Sequence, residues 1–365
     1  MMVDITLEGL TKQFGKTTAV KDLNLKIKEK EFLVLLGPSG CGKTTTLRMI
    51  AGLEVPTKGR IYFADKDVTY LHPKKRKVAM VFQNYALFPH MTAYENISFP
   101  LRIEKRPKEE IKKKVKEIAG LLGIEYLLDK KPGMISGGEA QRVALGRAII
   151  KEPEVFLMDE PLSNVDAKLR VFIRGELKKL QKDLQITTVY VTHDQVEAMA
   201  LADKVAVLNK GELQQVAKPL ELYHSPLTSF VGGFIGTLPM NFIECSVVER
   251  NGKLLFDSGY FSINAPDMSN TLINKITSSE VQIGVRPEGA VVNGEDKGDF
   301  NASLVSLEPL GTETIVTVEL QGKPFRVRAS ADFRAKIGDK ISIKIDKQRM
   351  YVFNKRTDKR IYPNT

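Results

Sequence analysis

FLVLLGPSGCGKTTTLRMIA, residues 32–51, is the stretch on which the fold turns. Its first six residues form an apolar run of the length of a buried strand, and the residues from about Thr44 to Ala51 read as a helix. Between them GPSGCGKT, residues 37–44, fits the spacing G-x-x-x-x-G-K-[ST]. Gly37, Gly40 and Gly42 let the loop, which also holds Pro38, Ser39 and Cys41, curl until successive N–H groups converge on phosphate oxygens. The start of the helix adds positive potential there. Lys43 is suited to grip the terminal phosphates, and Thr44 offers a hydroxyl to Mg²⁺, a cation that takes oxygen ligands and keeps several waters.

Working outward, ITLEGLTKQF (residues 5–14) and LNLKIKEKEF (residues 23–32) alternate as strands do. From about Thr92 to Ile150 the pattern turns helical, with Ile111, Val115, Ile118 and Leu122 on one face, and reads as a helical insertion. Strand and helix alternate again through VFLMDE, the helix after Asp166, TTVYVT and DQVEAMALA, the pattern of parallel strands with crossover helices. The fold class is therefore α/β, a P-loop NTPase. After VGGFIGTLPMNF the chain becomes a series of short strand-like runs, VQIGVRPE, TIVTVEL, FRVRAS and ISIKI, which predict a small all-β, OB-like second domain. The expected division is 1–235 and 236–365, with the helical subdomain at about 92–150.

VFLMDE ends in two adjacent carboxylates, Asp159 and Glu160, directly after a buried run. Such a pair is costly unless a cation or protons offset it, and Mg²⁺ is the obvious offset. Asp159 is assigned to the metal shell and Glu160 to orienting or deprotonating an attacking water, because phosphoryl transfer depends on positioning and charge neutralisation. Gln83 follows the strand VAMVF and His193 follows TTVYVT, which suggests the same carboxyl edge of the sheet. Taken alone His193 reads as a structural histidine. Ser136, Gly137 and Gly138 precede a helix; alone they are an N-cap, and in context a second anion site. Tyr85, Leu87 and Phe88 form an apolar cluster on a loop, which is either buried core or a partner's dock.

The chain has 365 residues, enough for two domains, with 42% apolar and 27% charged residues. No uncharged apolar run approaches the roughly 18 to 20 residues of a spanning helix, and MMVDITLEGL lacks an export signal, so a cytosolic protein is expected. Cys41 and Cys245 read as reduced thiols. Of the net charge of +11, residues 1–240 carry most, with 37 Lys/Arg against 28 Asp/Glu, while residues 241–365 hold 18 against 16. The excess gathers in Lys74, Lys75, Arg76 and Lys77 and in the stretch from Arg102 to Lys116, read as solvated faces or as surfaces near anionic lipid. A nearly neutral tail without a basic, aromatic-interleaved stripe argues against a nucleic-acid partner, and no [NT]-K-x-D motif suggests GTP.

Together the phosphate loop, Gln83, the SGG run at 136–138, VFLMDE, the SNVD turn at 163–166 and His193 resemble the nucleotide-binding subunits of ABC transporters. The chain is most similar to the carbohydrate importer ATPases of the maltose and multiple-sugar type, through SGCGKTT, NYALFPHMT at 84–92, FVGGFIGTLPMNF and GVRPE at 284–288. The resemblance implies that Phe14 stacks on adenine and that Lys43, Thr44 and Thr45 bind phosphate and Mg²⁺. It further implies that Asp166 belongs to the nucleotide site, that Gln83 takes part in the metal shell and joins the site to the membrane partner, and that His193 contacts the γ-phosphate. Ser136 and Gly138 then act on the ATP held by the other subunit of a head-to-tail homodimer. Expected partners are two membrane permeases, docking near Tyr85, Leu87 and Phe88, and indirectly an extracytoplasmic solute-binding protein, with the ATPase at the cytoplasmic face of the membrane. Importers of polyamine, sulfate and iron share this layout, so sugar rests on likeness; a nucleic-acid-associated ATPase with an OB-like tail is the alternative of a different class. The run ISGGEAQR departs from the usual LSGGQ by placing Glu139 where Gln is common.

Overall fold

The computed structural model describes residues 3–163, 165, 167–250, 253–265, 280–293 and 298–363. They form two compact units, Met1–Pro219 and Leu220–Thr365.

The first unit contains β1 (Ile5–Phe14), β2 (Thr17–Ile27), β3 (Phe32–Leu36), α1 (Lys43–Ala51), β4 (Lys58–Phe63), β5 (Lys66–Asp67) and β6 (Val78–Val81). The helices α2 (Ala93–Ile103), α3 (Lys108–Leu122) and α4 (Gly137–Ile149) follow. Then come β7 (Val155–Asp159), α5 (Ala167–Leu184), β8 (Thr187–Thr192), α6 (Gln195–Leu201), β9 (Lys204–Asn209) and β10 (Glu212–Ala217). A small antiparallel sheet runs β2-β1-β4-β5, and the main sheet runs β10-β9-β3-β8-β7-β6. From β9 to β6 the main sheet is parallel. Every residue of β3, β7 and β8 is buried, as strands covered on both faces require.

Register positions the site. Leu36 pairs with Thr192, Asp159 with Val191, and Val81 with Met158. The carboxyl ends of four neighbouring strands thus release the phosphate loop, His193, Glu160 and Gln83 along one edge, where open parallel sheets bind ligands.

Two details differ from expectation. The strand read at residues 23–32 ends at Ile27, because no apolar residue occupies 29 or 31, and the chain turns through Lys30 at φ +63° before β3. Arg76 does not belong to a solvated face: it is buried, unlike its exposed neighbours Lys74, Lys75 and Lys77. Its guanidinium donates to the carbonyls of Met49 and Ile50 at 2.8 and 2.9 Å, and to those of Thr69 and Leu71 at 2.9 and 2.7 Å. The predicted helical insertion is α2 to α4; α3 buries Ile111, Val115, Ala119 and Leu122.

The second unit opens with α7 (Pro219–His224) and α8 (Ser229–Phe234) and continues as β11 (Asn241–Arg250), β12 (Lys253–Asp257), β13 (Ser262–Asn264), β14 (Glu280–Val285) and β15 (Ala290–Asn293). It is completed by β16 (Phe300–Pro309), β17 (Glu313–Leu320), β18 (Lys323–Ser330), β19 (Lys340–Ile345), β20 (Met350–Asn354) and β21 (Arg360–Tyr362). Two antiparallel sheets, β13-β12-β11-β14-β20-β21 and β15-β19-β16-β17-β18, share one core that includes Ile243, Phe256, Ile283, Val316, Phe325, Ile343 and Val352. This is the expected all-β, barrel-like architecture.

The units divide after Pro219, whereas the sequence reading set the division after 235. The cause is visible at GVRPE. Arg286 is buried and stacks on the Tyr223 ring at 3.7 Å. It donates to the carbonyl of Tyr223 at 2.6 Å and of Ile235 at 2.7 Å, which fastens residues 220–235 to the β core. Both cysteines are free and buried.

Candidate functional site

The phosphate loop leaves β3 with its shape set by crowding. A Cβ on Gly37 would lie 2.3 Å from the Leu208 carbonyl oxygen; one on Gly42, at φ +100°, would lie 2.4 Å from that of Ala19. Only glycine fits either place. Gly40 is also left-handed, at φ +77°. Lys43 opens α1 and is 5% exposed. Its Nζ donates to the carbonyls of Gly37 at 2.8 Å and Pro38 at 2.9 Å, and lies 3.8 Å from the Cys41 sulfur. Among the described residues it forms no ion pair. A buried ammonium without a carboxylate calls for an anion, and of its three N–H groups two donate to carbonyls while the third faces the Cys41 sulfur, a weak acceptor that a phosphate oxygen can replace.

Thr44 donates its hydroxyl to Asp159 Oδ1 at 2.9 Å. Asp159 is 7% exposed; burial raises its carboxyl above the usual range, against the opposing pull of the Thr44 hydrogen bond. Hydroxyl and buried carboxylate side by side are oxygen donors of the kind Mg²⁺ takes. Thr45 is half-buried on the first turn of α1.

Glu160, one residue on, sits at φ +45°, a conformation disfavoured for a residue with a Cβ. Its N–H donates to the Val191 carbonyl at 3.0 Å, and its own carbonyl accepts from Ser163 N at 3.2 Å and Ser163 Oγ at 3.0 Å. The result aims the carboxylate along the sheet edge: Oε2 lies 3.1 Å from His193 Nδ1 and 3.5 Å from Gln83 Nε2. Three residues from three strand ends, singled out separately in the sequence, meet here.

Other site residues stand apart. No hydrogen bond among the described residues joins Ser136, Gly137 or Gly138 to the phosphate loop. Ser136 caps α4 in a capping box with Glu139, whose Oε2 accepts from Ser136 N and from Ser136 Oγ, each at 2.8 Å. Tyr126 donates to Glu139 Oε1 at 2.9 Å. These bonds, the Ser136 N–H first, hold the Glu139 carboxyl below its usual range, so the departure from Gln serves the cap. Phe14, at the end of β1, is 49% exposed, with Lys12 Nζ over its ring at 4.9 Å from the centre. Asp166 lies outside the described residues.

Tyr85, Leu87 and Phe88 are half-buried. Tyr85 and Ala86 are both left-handed, at φ +58° and +47°, and Arg147 of α4 holds their carbonyls at 2.8 and 2.7 Å. The Phe88 ring packs 4.7 Å from Phe99 and 5.6 Å from the Arg147 guanidinium. The loop after Gln83 is thereby fastened to α4, the helix that Ser136 caps. Arg147 and Tyr126 escaped the sequence reading: nothing local distinguishes an arginine in a helix or a tyrosine in a turn.

Comparison with known proteins agrees with this geometry. Residues 20–163 match the family model described as ABC transporter and residues 283–353 the TOBE domain. The chain is 48% identical to the trehalose/maltose import ATP-binding protein of Thermococcus litoralis, over 99% of this chain and 100% of that one. It is 44% identical to the oligosaccharides import ATP-binding protein of Bacillus subtilis, over the same shares of each. A dimeric ATP-binding cassette in a post-hydrolysis state bound to ADP and Pi superposes with TM-score 0.53 at 34% identity, covering 59% of this chain and 98% of that one. Among the described residues no helix is long and apolar enough to cross a membrane. A phosphate loop, a strand-end acid pair and a capped SGG helix on this sheet, with these relatives along its whole length, make the chain a member of the ABC transporter family and an ATP-hydrolysing, ATP-binding subunit within it.

Proposed function

We propose that this chain powers the import of a sugar or oligosaccharide, as one half of a head-to-tail homodimer on the cytoplasmic face of the membrane beneath two permease subunits. The observation that carries the catalytic reading is the convergence of Glu160, His193 and Gln83 beside the Lys43 loop. The solute class follows from relatives named for trehalose, maltose and oligosaccharide import. A solute-binding protein outside the membrane would act through the permeases.

In this reading the loop from Gly37 to Thr45 cradles the phosphates, with Lys43 on the terminal ones and Phe14 under the adenine. Thr44, Asp159 and Gln83 are the residues to hold Mg²⁺, which when bound neutralises charge on the phosphates. Glu160 orients a water and takes its proton as the water oxygen bonds to the γ-phosphorus and the bond to the β-phosphate oxygen breaks; ADP and phosphate leave. His193 steadies the γ-phosphate, and Ser136, Gly137 and Gly138 of the opposite subunit supply further donors. Asp166 belongs to the same nucleotide site. The loop holding Tyr85, Leu87 and Phe88 docks a permease helix; since Phe88 also packs on Phe99, Leu87 is the better residue to vary there.

Glu160→Gln tests the central role. Steady-state hydrolysis by the full chain should fall about 10² to 10⁴-fold, while ATP binding persists and gel filtration with Mg·ATP shows a dimer. Near-normal turnover would remove Glu160 from its role.

A further inference from the structure

Behind His193 lies a buried polar network that the hydrolytic reading does not use. Glu197, on α6, is 3% exposed. Its Oε2 accepts from the Tyr190 hydroxyl and from the Thr192 hydroxyl, each at 2.8 Å. The Thr192 oxygen in turn accepts from the Asp194 N–H at 2.9 Å. Asp194 caps α6, its Oδ1 accepting from Val196 N at 2.7 Å and Glu197 N at 3.3 Å. His193 is therefore flanked by Thr192, bonded to the Glu197 carboxylate, and by Asp194, bonded to Thr192 and to the first N–H groups of α6.

Arg170, on α5, completes the network. Its Nη1 lies 3.4 Å from Asp194 Oδ2, its Nε 3.9 Å from Glu197 Oε1, and its Nη2 donates to the Val165 carbonyl at 3.1 Å. Val165 N donates to the Leu162 carbonyl at 3.2 Å, and the neighbouring Ser163 is bonded to the Glu160 carbonyl. The contacts close a ring: Glu160, Leu162 with Ser163, Val165, Arg170, Asp194 with Glu197, Thr192, His193, and back to Glu160 Oε2 at 3.1 Å. A buried carboxylate is costly, and the hydrogen bonds it accepts hold their donors in one arrangement.

We infer that Glu197 and Arg170 are positioning residues for hydrolysis: Glu197 fixes the segment Thr192–Asp194 that presents His193, and Arg170 registers that segment against the turn after Glu160. The inference rests on the role given to His193 above. Neither residue touches ATP; each acts through the placement of His193 relative to Glu160, where a misplacement near 1 Å can cost about 10²-fold in rate.

The test is single-turnover ATP hydrolysis by the full chain, which resolves residual rates, for Glu197→Gln, Arg170→Gln and Arg170→Lys, alone and combined with His193→Ala. Thermal melts and ATP affinity are measured alongside. Glu197→Gln and Arg170→Gln should each lower the rate about tenfold or more with ATP affinity unchanged. Arg170→Lys, which keeps the charge, should recover most of the loss. In the His193→Ala background neither Gln variant should lower the rate further, because residues acting through one group are not additive. Wild-type rates in folded Gln variants, beside an impaired His193→Ala, would overturn this inference alone, as would losses that multiply with His193→Ala. A wild-type rate for His193→Ala would instead overturn the role of His193 and this inference with it. If Glu197→Gln does not fold, the half-exposed Arg170 pair decides the question.

Discussion

Asp159 shows what a single residue of this site costs the fold. Its carboxyl is raised above the ordinary value of 3.8, first by burial, while Thr44 pulls the other way. Between the ordinary value and the raised one the folded chain holds a proton that the unfolded chain has released. Stability therefore falls as pH rises through that interval and stays lower above it. Asp159→Asn keeps an acceptor for Thr44 and removes the charge. It should raise the thermal midpoint of the nucleotide-free chain at about pH 8, by a margin that shrinks to nothing as pH falls below the ordinary carboxyl range, while abolishing hydrolysis. Scanning calorimetry across pH checks this; an equal or lower midpoint at high pH would contradict it. Asp159 and Glu160 were legible in the sequence because two acids after a buried run need a cation. Glu197 was not: one acid inside a helix looks solvated until Tyr190, Thr192 and Arg170 are seen around it.

At the scale of elements, α1 carries the phosphate loop at one end and is fastened at the other by Arg76. The guanidinium takes the carbonyls of Met49 and Ile50 at the end of the helix, Met49 also accepting from Gly52 N at 3.1 Å, and Gly52 has no room for a Cβ, which would lie 2.5 Å from Arg76 Nε. Burial pushes this guanidinium down to about 10, still charged at neutral pH. Arg76→Ala removes four hydrogen bonds to carbonyls, three of them buried, and should destabilise the first unit by about 3 kcal/mol, read as a lower urea midpoint, whereas Lys75→Ala should stay within about 0.5 kcal/mol. Equal small effects would return Arg76 to the solvated face. The run Lys74–Lys77 could not reveal this, since four neighbouring cations look alike and only long-range packing separates one of them. Strands with strict alternation or unbroken apolar runs, such as β1, β7 and β8, were legible almost to the residue, while the end of β2 was blurred by charged residues that continue a weak alternation.

For the molecule as a whole, the order of motifs carried the architecture: a phosphate loop, a helical insertion, a return to strand and helix, then short strands. The point of division was harder to read, because FVGGFIGTLPMNF looks like a linker by composition, and only the buried Arg286 shows that residues 220–235 belong to the β unit. On the proposed reading, the SGG helix is the part of the site that a single chain leaves unfinished. Ser136 is capped and presented, yet among the described residues of its own chain it makes no bond to the phosphate loop. The central claim is that two chains close on ATP so that the Lys43 loop of one faces the Ser136 loop of the other. The direct measurement is crosslinking of a full chain carrying Ser39→Cys and Gly137→Cys with Cys41 and Cys245 replaced, using a short thiol-reactive linker with and without Mg·ATP. Crosslinks between chains that appear with ATP are the predicted result, and crosslinks confined within one chain, or formed equally without ATP, would contradict it.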